Sequence, residues 1–245
     1  MMNGPDVRAA EPDRHKRAVL EVIRAEAFDA LRVEGFYLFT GGSSLNDEVL
    51  VSVATLLGLP FGEPRDPRIV RAISPVDTAS APRNTLSSRY GFGAFPYHTD
   101  TAYLRAPAHL LLLYCEEPGI CGRATALVDT RAWSLTKSEA HALRNEVWAV
   151  RGARPAFLCT VGTGTHDLNI RFDRNCMSPA VRGREDAKQI FDEHVERSTP
   201  IIISWSRGDL LVLDNRRLVH ARTAAAQQDP ERTLKRVLIR TGGTA

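Results

Sequence analysis

The sequence predicts a mixed α+β fold: a jelly-roll or related barrel of short strands, flanked by three or four helices. Two observations carry this expectation. Short apolar runs bounded by Gly, Pro, Asn and Asp recur through most of the chain, whereas stretches with helical apolar spacing are few. The longest uninterrupted apolar run, Leu110 to Cys115, is the length of a buried strand and far too short to span a bilayer.

Residues from Asp13 to Val33 read as an amphipathic helix, with Ala18, Val22, Ala25 and Phe28 recurring at helical spacing. Asp13 is placed to cap its start and Gly35 to stop it. Phe36 to Phe39 follows as a strand and Gly41-Gly42-Ser43 as a turn. A second helix from about Leu45 to Leu57 carries Asp47 and Glu48 in its first turn and ends at Gly58. From Pro60 to Arg89 the chain is rich in Pro, Ser, Arg and Asp, with one strand at Ile69 to Ile73. A loop of that length is functional or mobile in most compact domains. It leads into Tyr90-Gly91-Phe92-Gly93-Ala94-Phe95-Pro96, where glycines let the backbone turn and aromatics either line a pocket or anchor an ordinary surface loop.

Strands are expected at Leu110 to Tyr114 and Ala124 to Val128. Thr136-Lys137-Ser138-Glu139 has the form of a capping box, which starts a helix running to about Asn145. Strands at Val147–Val150, Phe157–Val161 and Leu168–Phe172 precede a helix near Glu185 to Arg197, which stops before Pro200. The last quarter is strand-rich again: Ile201–Trp205, Leu210–Leu213, Leu218–Ala221 and Leu234–Arg240.

A chain of 245 residues suits one elaborated domain, 1–245, with residues 1–12 flexible. The hydrophobic fraction of 43% and charged fraction of 25% are those of globular proteins in solution. A net charge of +3 and the lack of a lysine-rich run give no reason to expect nucleic acid or a membrane surface as partner. Cys115, Cys121, Cys159 and Cys176 have irregular spacing and no Cys-x-x-Cys, so they read as reduced thiols of a cytoplasmic protein. The opening residues do not resemble a signal peptide.

Chemistry concentrates at Tyr97-His98-Thr99-Asp100. In an extended segment His98 and Asp100 share one face, giving two members of a 2-His-1-carboxylate site, the donor set that suits non-haem Fe(II) and leaves coordination positions open. Of the other six histidines, His194 forms the only further His-x-carboxylate triplet, with Glu196, but on a helix residues two apart do not face each other. His15 and His141 read as solvated, while His109 and His166 suit structural roles. His220 lies at the end of a strand after Asp214-Asn215, a turn signal that suggests a hairpin. Arg232 and Arg236 follow, four apart and so on one face of a strand. They are either the cations that hold carboxylates or surface arginines.

These segments resemble the taurine dioxygenase and clavaminate synthase-like group of Fe(II)/2-oxoglutarate-dependent oxygenases. The motifs that carry the resemblance are His98-Thr99-Asp100, Gly122-Arg123-Ala124-Thr125, Gly208-Asp209-Leu210-Leu211 leading to Asp214-Asn215-Arg216-Arg217-x-x-His220, and Arg232-x-x-x-Arg236. The chain is compact, similar in that respect to carbapenem synthase. The resemblance implies a double-stranded β-helix. It implies His98, Asp100 and His220 as iron ligands, Thr125 and Arg232 as contacts of the distal carboxylate of 2-oxoglutarate, and Arg236 as a contact for an anionic group of the primary substrate. Dioxygen is the second cosubstrate. Arg89, Tyr90, Phe92, Tyr97 and Tyr103 are candidates to line the substrate pocket. The expected reaction is hydroxylation of an unactivated C–H in a small carboxylate-bearing molecule, an amino acid or natural-product intermediate. Desaturation or epimerisation would use the same parts, and a non-catalytic ligand-binding jelly-roll is the contrasting class. Asp100 argues against halogenation, because a carboxylate occupies the position a halide would need.

Overall fold

The structure is a computed structural model describing residues 11–40, 44–81, 85–151, 155–164, 167–225 and 227–242, with backbone alone for 11–16. The turn expected at Gly41-Gly42-Ser43, His166 and residues 1–10 lie outside the described residues. In chain order the elements are α1 (Glu11–Val33), β1 (Phe36–Phe39), α2 (Asp47–Leu57), β2 (Leu59–Phe61), β3 (Arg71–Ile73), α3 (Leu86–Tyr90), β4 (Phe95–His98), β5 (Leu110–Glu117) and β6 (Thr125–Asp129). They continue with α4 (Lys137–Asn145), β7 (Trp148–Val150), β8 (Phe157–Cys159), β9 (Gly162–Thr163), β10 (Asn169–Ile170), β11 (Met177–Pro179), α5 (Asp186–Arg197), β12 (Ile201–Ile203), β13 (Leu210–Asp214), β14 (Leu218–Arg222) and β15 (Thr233–Arg240).

Two antiparallel sheets dominate. The larger runs β1-β13-β5-β15, with β2 and β3 both paired to β15, and the smaller runs β12-β6-β14-β4. The run Leu110–Cys115 is apolar throughout because β5 is central in the larger sheet and buried on both faces. Leu111, Leu113 and Cys115 meet Leu127, Ile203, Trp205 and Leu218 in the core between the sheets, whereas Leu110, Leu112 and Tyr114 meet Ile23, Leu50 and Val53 of the covering helices. Each such leucine, fully withdrawn from water, contributes about 1.5–3 kcal/mol. The outer side of the smaller sheet is covered in turn by α4, α5 and the β11-β7-β8 sheet, through Val128, Val219, Leu143, Trp148, Phe172 and Phe191.

The first helix ends where expected but begins at Glu11, so Asp13 lies within it instead of capping it, and it buries a different stripe. Val19, Ile23 and Ala27 face the core, while Val22 and Phe28 stay 40% and 52% exposed, and Ala18 and Ala25 are exposed too. Two adjacent apolar stripes both have helical spacing, and the fixed end decides between them. Arg217 donates to the carbonyls of Arg32 and Val33 at 3.3 and 3.0 Å, which sets the helix's rotation.

A second correction concerns the strands before His220. They do not form a hairpin: β13 pairs with β1 and β5, and β14 with β4 and β6. Asp214-Asn215-Arg216-Arg217 is a corner from the larger sheet to the smaller. Its turn is closed by the Asp214 carboxylate, which accepts from the backbone N–H of Arg216 at 2.9 Å and of Arg217 at 3.3 Å. A turn signal specifies a reversal but not the partner of the strand beyond it. Leu213 and Leu218, on either side, are both fully buried, so crossing the core keeps both covered. His220 accordingly sits within β14, not at its end.

The expected capping box is present: Glu139 N–H donates to Thr136 Oγ1 at 3.2 Å and Thr136 N–H donates to Glu139 Oε2 at 2.7 Å. The long segment from Pro60 to Arg89 is more structured than expected, since β2 and β3 add to the edge of β15 and α3 precedes the aromatic loop.

Candidate active site

His98 ends β4 and stands opposite His220 of β14, which in turn stands opposite Leu127 of β6. The two imidazoles lie 4.5 Å apart between centroids. Thr99 turns away and is tied to Phe172, donating its N–H to that residue's carbonyl at 2.8 Å and accepting its N–H at 3.1 Å. That leaves Asp100 on the His98 side, as the alternation of extended backbone requires. Donor atoms of His98, Asp100 and His220 all lie within 4.8 Å of one another, and His98 Nε2 is 3.7 Å from Asp100 Oδ1. A metal ion with bonds of about 2.0–2.2 Å fits among three such donors.

The surroundings prepare each donor. His98 Nδ1 lies 3.0 Å from the carbonyl of Pro96, which as acceptor places the proton on Nδ1 and leaves Nε2 a bare lone pair. Asp100 is set by Asn215, whose Oδ1 accepts the Asp100 N–H at 2.7 Å. The same side chain's Nδ2 donates to the carbonyls of Asp100 at 3.0 Å and Ala108 at 2.9 Å. Burial alone would raise the Asp100 carboxyl, but Arg236, whose Nη1 donates to Oδ2 at 3.0 Å, and the two histidines hold it far below the usual range. Burial, together with the neighbouring His98, pushes His220 down to about 3, so it is neutral and ready to ligate. His98 moves the other way. Burial works against its charge, yet the Asp100 carboxylate outweighs that and raises it above the ordinary value.

Arg232 precedes β15 and is 4% exposed; its guanidinium has no hydrogen-bond partner among the described residues, and Nε is fully enclosed. Thr125, at the start of β6, accepts the indole N–H of Trp205 at 3.0 Å, which leaves the threonine's own proton free to donate. Arg236 is engaged on both sides, by Asp100 and by Glu63, while its Nε is buried without a partner. Glu63 also accepts from Arg71 at 2.8 Å and from the Tyr103 hydroxyl. Tyr97 alternates with His98 and packs against the outer core of the smaller sheet. The Phe92 carbonyl accepts from Arg123. Tyr90 packs edge-on against Phe95 at 5.6 Å and donates to Asn175 at 3.3 Å, and Arg89 is exposed.

Other histidines have structural surroundings. His194 is buried, stacked on Trp133 at 5.4 Å and 3.2 Å from Glu139; His109 is bonded to Thr241 at 2.8 Å; His141 is exposed. The sequence pattern assigns no role to Glu63 or Arg222, nor to Asn215 and Arg123, although these two stand within the motifs quoted above. Asn215 lay within a turn signal that masked its side chain's reach, and Glu63 carried no local signal because its partners are distant in the chain.

The chain matches the Taurine catabolism dioxygenase TauD, TfdA family over residues 9–150 and 167–238. It belongs to that family. No curated protein matches its sequence significantly. Solved structures with the same fold include asparagine oxygenase (AsnO), at 19% identity and TM-score 0.73, covering 95% of this chain and 84% of that one. They also include the non-heme iron oxygenase OrfP in complex with Fe, succinate and (3R,4R)-dihydroxy-L-Arg, at 19% identity and TM-score 0.69, covering 91% and 81%. OrfP with Fe and alpha-ketoglutaric acid aligns at 20% identity and TM-score 0.68, covering 91% and 79%. Among the described residues no helix is long and apolar enough to cross a membrane.

Proposed function

We propose that this family member is an Fe(II)- and 2-oxoglutarate-dependent oxygenase that hydroxylates a small carboxylate-bearing molecule, with a free amino acid as the favoured class. The observation that carries this reading is a His98–Asp100–His220 donor set with both imidazoles buried, in a fold that also buries Arg232, a cation without an anion among the described residues. Two facing antiparallel sheets, with His98 and His220 on the smaller one and Asp100 in the turn after β4, support the reading of a double-stranded β-helix within a single oxygenase domain.

In this reading His98, Asp100 and His220 hold the iron, with both imidazoles neutral and the carboxylate ionised. Thr125 and Arg232 hold the distal carboxylate of 2-oxoglutarate through an O–H and a charge-assisted N–H. Arg236 orients Asp100 and offers its remaining Nε–H to an anionic group of the substrate. Phe92 and Tyr103 shape the space around it, whereas Tyr97, on the opposite face of β4 from His98 and packed in the outer core, is not among the residues lining it. Iron, when bound with 2-oxoglutarate and dioxygen, supplies the oxidation of a C–H bond coupled to release of succinate and carbon dioxide. The hydroxylated arginine and hydroxyasparagine bound beside succinate in structures of the same fold support the amino-acid class.

Anaerobic addition of Fe(II) and 2-oxoglutarate tests the reading directly. A weak visible charge-transfer band should form and should vanish in His98→Ala. A wild-type protein that gives no band, or that releases no succinate in a screen of amino acids and related carboxylates, would count against it.

A further inference from the structure

Arg232 is not alone among the arginines that the fold withdraws from water. Arg123 and Arg232 are 3% and 4% exposed, and Arg222 completes a cluster in which Arg123 and Arg232 both weigh against the charge of Arg222, and Arg123 against that of Arg232. Among the described residues no carboxylate forms an ion pair with any of the three. The strands explain the convergence. Arg222 stands directly opposite Thr125 across the β14–β6 ladder, so their side chains share a face. The ladder extends past β6, since Thr223 N–H donates to the Ala124 carbonyl at 3.1 Å and Ala124 N–H to Thr223 Oγ1 at 2.9 Å. Arg123, two residues before Thr125, therefore lies on that same face, roughly 7 Å along the chain.

What brings Arg232 to them is Asp229. Its carboxylate accepts the N–H groups of Ile120 at 2.5 Å and Cys121 at 3.1 Å, and also those of Glu231 at 3.2 Å and Arg232 at 3.3 Å. One side chain thus ties the turn that launches Arg123 to the residue that launches β15.

The three cations are not equally free. Arg222 is spent on the loop before β4: its guanidinium donates to the carbonyls of Gly91 and Gly93 and lies 3.5 Å over the Phe95 ring. Arg123 gives one nitrogen to the Phe92 carbonyl and keeps Nε and Nη1 buried with no acceptor. An unpaired buried guanidinium is costly, and a second one beside it more so, unless an anion joins them.

From this geometry we infer that Arg123 is a second carboxylate-binding residue of the cosubstrate pocket, sharing the distal carboxylate of a 2-oxo diacid with Arg232 and Thr125. The inference rests on the function proposed above. It also links the cosubstrate to the Gly91–Gly93 loop, since one guanidinium touches both.

The test compares wild type with Arg123→Gln and Arg123→Lys. Binding of 2-oxoglutarate to the anaerobic Fe(II) protein is followed by the visible band, Fe(II) affinity by calorimetry, and folding by the thermal midpoint. Arg123→Gln should bind 2-oxoglutarate at least tenfold more weakly, Arg123→Lys should recover most of the loss, and Fe(II) affinity should stay at the wild-type value in both. Unchanged 2-oxoglutarate affinity in Arg123→Gln, or a lysine variant as weak as the glutamine one, would overturn the inference. Failure of the wild type itself to bind 2-oxoglutarate would instead bring down the proposed function.

Discussion

Replacing Asn215 by alanine should damage the fold and the iron site together. The side chain is 1% exposed and makes three hydrogen bonds, to Asp100 N–H at 2.7 Å and to the carbonyls of Asp100 and Ala108 at 3.0 and 2.9 Å. Each bond contributes about 1 kcal/mol net, and a buried backbone group left without a partner adds a desolvation cost of about 1–3 kcal/mol. A loss of roughly 3–5 kcal/mol is therefore expected, a large part of the ~5–15 kcal/mol that holds a typical domain folded. For a chain of this size that corresponds to a fall of about 10 °C in thermal midpoint. Asp100 would also lose the clamp on its backbone. Removing a group that orients a metal ligand commonly costs about 10–100-fold in metal affinity. Thermal unfolding and calorimetric Fe(II) titration of the same preparation measure both. A midpoint within about 2 °C of wild type with unaltered metal affinity would refute the reasoning, because three buried bonds cannot vanish without a trace on both readings.

Four further outcomes are expected. Gly119→Ala should destabilise the protein and weaken 2-oxoglutarate binding: φ is +66° there, and a Cβ would sit 2.0 Å from the Asp229 carboxylate that ties the Arg123 turn to Arg232. Denaturation and the visible-band titration read the two effects. Arg217→Met should cost about 3 kcal/mol in urea unfolding, since it strands Asp129, which Arg217 Nε and Nη2 contact at 3.0 and 2.6 Å; adding Asp129→Asn should recover part of that loss. Thr136→Ala should cost about 1 kcal/mol by removing the cap of α4, with no effect on metal binding. Fe(II) affinity should fall as pH drops. The Asp100 carboxylate raises His98 above its ordinary value, so the metal competes with a proton held to higher pH than on a free histidine, and calorimetry across pH should show proton release on binding.

Periodicity and turn chemistry make much of this molecule readable from the chain alone. The capping box at Thr136, the end of α2 at Gly58 and the buried run Leu110–Cys115 depend on neighbours in sequence, and each has its expected place. The face shared by His98 and Asp100 followed from backbone alternation alone. What depends on distant partners was illegible. The rotation of α1 is set by Arg217, more than 180 residues later. Likewise the corner at Asp214–Asn215 has the same local chemistry as a hairpin turn, and only the burial of Leu213 and Leu218 between sheets separates the two. Glu63 and Arg123 escaped for the same reason. A carboxylate in a loop and an arginine after a glycine acquire meaning only from the cations and carbonyls that folding brings beside them.

The placement of the two halves of the site has a consequence for how such a protein can change. His98 and His220, with Thr125, Arg222 and Asn215, belong to the smaller sheet or to the corner leading into it, where each neighbour in the ladder constrains the next, and Asp100 is tied to that corner through Asn215. Glu63, Phe92 and the glycines around it belong to the segment between β2 and β4, which outside β3 and its ladder to β15 is held to the sheets largely by arginine contacts. Substitutions in that segment can reshape what approaches the metal while the strand register beneath stays as it is. A laboratory effort to alter substrate preference should therefore diversify the loop residues between β3 and β4 and leave β3, Glu63 and the sheets alone.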